Sequence, residues 1–450
     1  MSNRRGLSRG DRRRNARLVR LRGLLPREHA IVAIDLADDK QVLAVTDHDS
    51  RVLARRTLRC RAWELGAALR WAQEQAVAAG FASVTVVCEP TGHRWRVVAD
   101  LVRRAGLALV CVQPLLVHRA REAEDFTRDK SDDKDAILIA RLAAQLHVYL
   151  PEEADETWAR LRHLGSRRAQ LVTAGGAARQ QVRDLLECVW PAVLAAADRP
   201  LDSLTWRACV TVALRLAGPA ADLTRVRRAG RARFAGAVAR ELPAWDGQRR
   251  NHRIMDAVYA ACTNTDGVLA QRRGALERVA FALADWHGTI QRRLEVETRM
   301  VTVLDELDLT RWITTIPGVT AVGVAAILAE SGDPTRFDSA RALVKHAGIC
   351  PRANESGHYA GKTTVSGRGR PLLRLAAWRA VWGAVRHNPV WAARYDHLTT
   401  RPDHPLSDHQ ARIAIAGNLL RQLYIVTTRR VAWDPATAAG LTTPEVSAAA

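Results

Sequence analysis

The sequence predicts an α/β domain followed by a largely helical remainder, and three observations predict it. An apolar run, "IVAIDL" at residues 31–36, opens a series of short β-type segments that ends near residue 112. The later of these segments are separated by helical patterns, so they are joined by crossovers rather than hairpins. From about residue 157 onward apolar positions recur at spacings of three and four, which is a helical period, and strand signals fade.

Taken in order, residues 1–28 are a basic arm expected to be disordered. Its first 22 residues hold nine arginines against one aspartate, a net of +8. "IVAIDL" suits a buried strand, "QVLAVTD" follows a polar turn, and "DHDS" turns the chain into a third strand. A helix is expected from about Trp63 to Ala79. "SVTVVCEPTG" is a fourth strand closed by Pro90 and Gly92, a helix runs from about His93 to Arg104, and "LALVCVQP" is a fifth strand. The acid-headed segment "DKSDDKDAILIARLAAQL" at 129–146 opens the next helix. The order βββ-α-β-α-β-α over residues 29–150 is that of the ribonuclease H fold. Residues 151–300 are expected to be helical and coiled-coil, with an insertion from about 195. Residues 301–433 are expected to form a mostly helical C-terminal domain, and 434–450 a tail whose last residues, "TPEVSAAA", look disordered.

The chain has 450 residues, 48% of them apolar, which is enough for two or three domains with cores of their own. It holds no run of about 18 uncharged apolar residues, and no apolar segment follows the arginine-rich start, so neither a membrane span nor a secretory signal is indicated. The expectation is a cytoplasmic bacterial protein, associated with the nucleoid when bound to DNA. Cys60, Cys88, Cys111, Cys188, Cys209, Cys262 and Cys350 are scattered, without zinc spacing, and read as reduced thiols. The formal net charge is +21, and most of it lies outside the arm, so a polyanion, with nucleic acid foremost, is the expected partner.

Against that basic background, acids gather at particular places. The first strand ends on Asp35 and the fourth on Glu89, while Asp132 and Asp135 lie three apart at the head of the helix and share a face. In a ribonuclease H sheet the first and fourth strands are parallel neighbours, so acids at their carboxyl ends meet at one edge. Four converging carboxylates repel unless divalent cations relieve them, and hard oxygen donors suit Mg²⁺. Two such ions assist phosphodiester cleavage by stabilising the attacking and leaving oxygens. Asp132 also has a capping reading, and Asp133 points away from the shared face as an exposed N-terminal acid.

A second group lies in the C-terminal region. "TTIPGVTAVGVAAIL" fits a helix-hairpin-helix, with Gly318 and Gly323 allowing a turn that presents backbone amides to a phosphate. Downstream, "GICPRANESGHYAGKTTVSGRGRPLLRLAAWRAV" is a glycine-rich basic loop carrying Lys362, Arg368, Arg370 and Arg374. Ser356 precedes Gly357 and Ser366 precedes Gly367. Either serine suits a nucleophile toward phosphate, and either suits a loop or cap role.

These segments resemble the DEDD transposases of insertion-sequence family one-ten, also called bridge-RNA-guided recombinases. The resemblance is carried by "AIDLADDK", "CEPTGHRW", "KSDDKDA", "IPGVTAVGVAAILAESGDPTRFDSARALVKHAGICPR", "ESGHYAGKTTVSGRGRPLLRLAAW" and "ARIAIAGNLLRQLY", in that order. It implies a RuvC-like N-terminal domain in which Asp35, Glu89, Asp132 and Asp135 bind Mg²⁺, and a catalytic Ser356 that forms a phosphoserine link to DNA. It further implies double-stranded target and donor DNA as substrates, a noncoding guide RNA, and a homo-oligomer, a dimer of dimers, with a composite active site. Where the sequence reads "TTVSGRGRP" the family commonly has a lysine and a Gly-Asn pair, so Ser366 stays beside Ser356 as a candidate. The alternatives are a RuvC-like metal-dependent nuclease or junction resolvase without a covalent intermediate, and a nucleic-acid-binding protein without catalysis.

Overall fold

The computed structural model describes residues 7–124, 132–152, 155–352, 355–356, 359–361 and 363–440. The chain divides into two compact units, residues 1–153 and 154–450.

The first unit begins with α1 (Arg9–Leu24), so the arm expected to be disordered is helical over most of its described length. Two local causes account for this. Ser8 caps the helix, its hydroxyl accepting from Asp11 N and donating to the Asp11 carboxylate. At the other end Leu21 and Leu24 pack on the core and Leu25 is fully buried. His48 fixes the exit by bonding the carbonyls of Pro26 and His29 through Nε2 while Nδ1 meets the Arg22 guanidinium at 3.3 Å. Arginines are good helix formers, and the pattern read as disorder because residues 9–20 bury nothing.

Six strands follow: β1 (His29–Asp35), β2 (Lys40–Thr46), β3 (Val52–Arg59), β4 (Ser83–Cys88), β5 (Ala108–Val112) and β6 (Val148–Tyr149). They form one mixed sheet in the order β3-β2-β1-β4-β5-β6. The β1-β2 and β2-β3 pairs are antiparallel, β1-β4 and β4-β5 are parallel, and β6 closes the edge antiparallel to β5. The helices are α2 (Ala62–Ala78), α3 (Arg94–Arg104), α4 (Pro114–Glu124) and α5 (Asp132–Ala144). This mixed α/β arrangement is consistent with a ribonuclease H-like domain. Alternation decides which face each strand residue serves. Ala30, Val32 and Ile34 pack with the apolar sides of α2 and α3, whereas Ile31 and Ala33 pack with Leu138, Ile139, Ala140 and Ala143 of α5. Both faces of β1 are therefore buried, which is why it reads as a continuous apolar run.

The second unit is helical, as expected of residues beyond 157. α6 (Glu156–Val189) runs against α12 (Arg272–Glu306), two long helices of 34 and 35 residues. Between them in sequence lie α7 (Pro191–Leu194), α8 (Leu204–Ala217), α9 (Thr224–Arg228), α10 (Arg231–Glu241) and α11 (His252–Ala261). These close on their own core around Trp190, Trp206 and Phe234, with the indoles of Trp190 and Trp206 donating to the carbonyls of Ala261 and Val193 at 2.8 and 2.7 Å. Small residues let the long helices pack closely: a methyl at Gly175 would stand 2.8 Å from the Thr289 hydroxyl. Arg168 and Glu297 join α6 to α12 at 2.8 Å, largely out of solvent.

The remaining helices are α13 (Thr310–Ile313), α14 (Ala321–Ser331), α15 (Ala340–His346), α16 (Pro371–His387), α17 (Pro389–Thr400), α18 (Asp408–Arg429) and α19 (Pro435–Ala439). The segment expected to be a hairpin between helices is a turn from α13 into α14. Gly318 takes φ +76° there, and its backbone presses on Gly383 of α16: a methyl on Gly318 would stand 2.4 Å from the Gly383 carbonyl oxygen. The Gly323 amide is occupied by the Thr320 hydroxyl, which caps α14. "TPEVSAAA" lies outside the described residues.

Candidate functional site

The strand register explains how two acids distant in sequence meet. β1 and β4 run parallel with Ile34 opposite Cys88, so Asp35 and Glu89 follow as the next step on neighbouring strand ends. Asp35 continues the parity of Ile31 and Ala33, and Glu89 that of Val87, residues that all face α5. Asp135 lies in the first turn of α5, which packs across β1 and β2 through Ala136 against Val42 and Ala44. Asp35, Glu89 and Asp135 thus border one cleft of about 730 Å³, together with Asp38, His93, Arg94 and Arg121. Asp132 opens the same helix three residues earlier, on the same side by backbone geometry, but its side chain is outside the described residues.

The cleft also contains cations that the sequence reading did not single out. Arg121, on α4, grips Asp135 with two parallel bonds: Nε to Oδ1 at 2.8 Å and a terminal nitrogen to Oδ2 at 2.8 Å. The Asp135 side chain is only 5% exposed, so this carboxylate has exchanged water for a guanidinium. At the rim Arg94 pairs with Asp38, and that bond raises the Arg94 pKa. The helix carrying Arg121 has a sequence signal in Pro114, which suits a first helical turn, but "LVCVQP" also reads as a strand ending in proline.

Among the described residues no three acidic, histidine or cysteine side chains close around a single point as an ion cage. That does not conflict with the donor set, because Mg²⁺ is ordinarily held through one or two carboxylates plus waters and substrate phosphates. Asp35, Glu89 and Asp135 on one cleft, with Asp38 at its rim, are an oxygen-donor set that fits such a group.

The C-terminal loop resolves into two small ribbons. Pro351–Arg352 pairs with Thr364–Val365, and Glu355–Ser356 pairs with Tyr359–Ala360, with Ser356 opposite Tyr359. Ser356 therefore lies at the end of the second ribbon, and its side chain, like Lys362, is outside the described residues. Ser366 lies at the base instead. Its hydroxyl donates to the Gly348 carbonyl at 3.2 Å, lies 3.6 Å from the Cys350 sulfur, and its amide donates to the Cys350 carbonyl. Two glycines lock the base, backbone on backbone. A methyl at Gly369 would stand 2.4 Å from both Gly348 N and the His346 carbonyl oxygen, and Gly348 has φ +72°. Arg374 donates to the carbonyls of Ala347 and Gly367, and Arg370 pairs with Glu330. His346, inside this knot, has its pKa lowered to about 4 by burial and by Arg336, Arg370 and Arg162.

All seven cysteines are free, four of them buried. No described helix is long and apolar enough to cross a membrane.

Comparison with known proteins reaches both regions. Residues 32–191 match a family model described as a transposase, and residues 310–396 match one described as the transposase IS116/IS110/IS902 family. Neither reaches residues 192–309, which include α8 to α11 and α12. The chain is 26% identical over 330 residues to an insertion element IS110 protein of 43.6 kDa from Streptomyces coelicolor, covering 72% of this chain and 78% of that one. It is 27% identical over 331 residues to a mini-circle protein of the same organism described as a candidate transposase for IS117, covering 68% and 72%. An acidic cleft at the sheet edge, a serine-bearing basic loop and two family matches in this order lead to one conclusion: the chain belongs to the IS110-family transposases and is an enzyme that cuts and rejoins DNA.

Proposed function

We propose that the protein is a site-specific recombinase that moves DNA strands through a phosphoserine on Ser356. In this reading the N-terminal unit is a RuvC-like domain whose Asp35, Glu89, Asp132 and Asp135 hold Mg²⁺, and residues 301–433 supply the nucleophile. The observation that carries it is the contrast between the two candidate serines. Ser366 is tied to the Gly348 carbonyl at the base of the loop, whereas Ser356 belongs to a separate short ribbon, opposite Tyr359.

The Ser356 Oγ attacks the scissile phosphorus. An O–P bond forms to the serine and the bond to one DNA oxygen breaks. The serine proton passes to a base and the leaving oxygen takes one up, so the phosphodiester energy is kept as an ester for rejoining. Bound Mg²⁺ would supply charge stabilisation at the attacking and leaving oxygens. The chain's own acids orient the phosphate by setting where that charge sits, and Lys362 and Arg368, on the same loop in sequence, offset phosphate charge.

A noncoding guide RNA specifying target and donor, a dimer of dimers with a composite site, and action in the cytoplasm at the nucleoid complete the reading. They rest on the resemblance and on the +21 charge of the chain. Denaturing electrophoresis of the protein with co-expressed RNA, labelled target and donor DNA and Mg²⁺ tests it. A protease-sensitive shifted DNA band is expected for the wild type and absent from Ser356→Ala; an undiminished band in the variant removes Ser356 from the role. Asp35→Asn and Glu89→Gln are expected to lose strand transfer while keeping RNA binding.

A further inference from the structure

We infer that Arg121 is an internal counter-ion which holds Asp135 until a divalent cation and DNA arrive together, so that metal loading is a displacement rather than a simple filling. The inference rests on the reading of Asp135 as a metal ligand and concerns a residue outside that ligand set.

The geometry is specific. Both Asp135 oxygens are engaged by one guanidinium at 2.8 Å, in the fork arrangement that matches a carboxylate. The pair is largely withdrawn from water, with 27% of the Arg121 side chain and 5% of the Asp135 side chain exposed, so it is weakly screened. A buried carboxylate without a partner is costly, which gives the apo protein a reason to keep the bond. An arginine stays charged, so it cannot yield to a metal by losing its proton. A divalent ion at Asp135 is therefore repelled by Arg121 until the guanidinium turns elsewhere. The cleft that Arg121 lines is the one Asp35 and Glu89 border, and a DNA phosphate entering it offers the same fork an equivalent partner. Phosphate takes the arginine and frees the carboxylate. By reciprocity, DNA then raises metal affinity and metal raises DNA affinity by the same factor.

Mn²⁺ binding to the full-length protein, read by the electron paramagnetic resonance signal of free Mn²⁺ with and without a 40-base-pair duplex, tests this independently of strand transfer. Removing a like charge beside the ion is expected to make Arg121→Gln bind Mn²⁺ at least about tenfold tighter than the wild type without DNA. DNA is expected to tighten Mn²⁺ binding in the wild type and to add nothing in Arg121→Gln. Arg121→Lys, which keeps the charge but loses the fork, covers the case in which glutamine does not fold. It binds Mn²⁺ tighter than the wild type if the inference holds, and equally or more weakly if it does not. Unchanged or weaker Mn²⁺ binding in Arg121→Gln, with binding lost in Asp135→Asn, overturns the inference and leaves the metal reading standing. Wild-type Mn²⁺ binding in Asp135→Asn overturns both.

Discussion

The acidic cleft and the serine-bearing loop are built by opposite means. In the N-terminal unit, long-range order comes from strands: one parallel register brings Asp35 and Glu89 side by side, and the period of two turns both toward α5. In the C-terminal unit, the strands beside Ser356 are two residues long, and the described order lies at residues 346–374, where glycine backbones at 348 and 369 interlock and Ser366 and Arg374 tie the carbonyls. One site is held by a sheet that would exist without it. The other lies on a loop whose base is held by backbone contacts between glycines.

That difference can be broken from the knot side first. Gly369→Ala places a methyl against backbone that has no flexible end to move, so it is expected to cost about 3 kcal/mol or more in that region and to abolish the covalent DNA adduct while leaving Mn²⁺ binding at the cleft intact. Denaturant unfolding together with adduct formation checks this, and a stable, active alanine variant would mean that the knot is dispensable. A smaller effect is expected of Ser366→Ala, which removes one hydrogen bond worth about 1 kcal/mol and keeps most adduct formation. Loss of the adduct in Ser366→Ala at unchanged stability would transfer the nucleophile's role to Ser366. The smallest effect concerns pH. His346 stays neutral down to about 4 in the folded state, whereas an unfolded histidine takes its proton near 6.5. Between those values the unfolded chain binds more protons, so the stabilisation, fully present above 6.5, is lost as pH falls toward 4. The melting temperature of the second unit is expected to decline across that window, and His346→Gln is expected to flatten the decline.

The two regions also differed in how far they could be read in advance. β1 to β5, α2, α3 and the head of α5 were legible because burial on both strand faces, turn residues and helical spacing all agreed, and the acids at strand ends broke an otherwise apolar pattern. Arg121 was not, because an arginine on a charged helix reads as solvated surface and its partner lies 14 residues away on the next helix. The helix α4 itself was hidden by a proline that also fits the end of β5. The ribbons around Ser356 and the lock at Gly348 and Gly369 were invisible for a different reason. Two-residue strands have no period to detect, and a glycine required for backbone contact looks the same as one that merely gives flexibility. The arm misled in the other direction: its arginines suggested disorder, yet Ser8 and Leu25 anchor a helix at both ends.

The tryptophan-lined body between α6 and α12 bears on how the chain finds its structure. Its core closes among residues 182–286 without help from the C-terminal helices. Left unstructured, residues 190–271 would be a long loop to close before the two long helices could meet, and loop closure costs entropy before contacts repay it. Folded as a unit of its own, the same segment brings the end of α6 and the start of α12 together in advance. The pairing of the long helices then becomes local in effective chain separation, which lowers the closure entropy that the scaffold must meet.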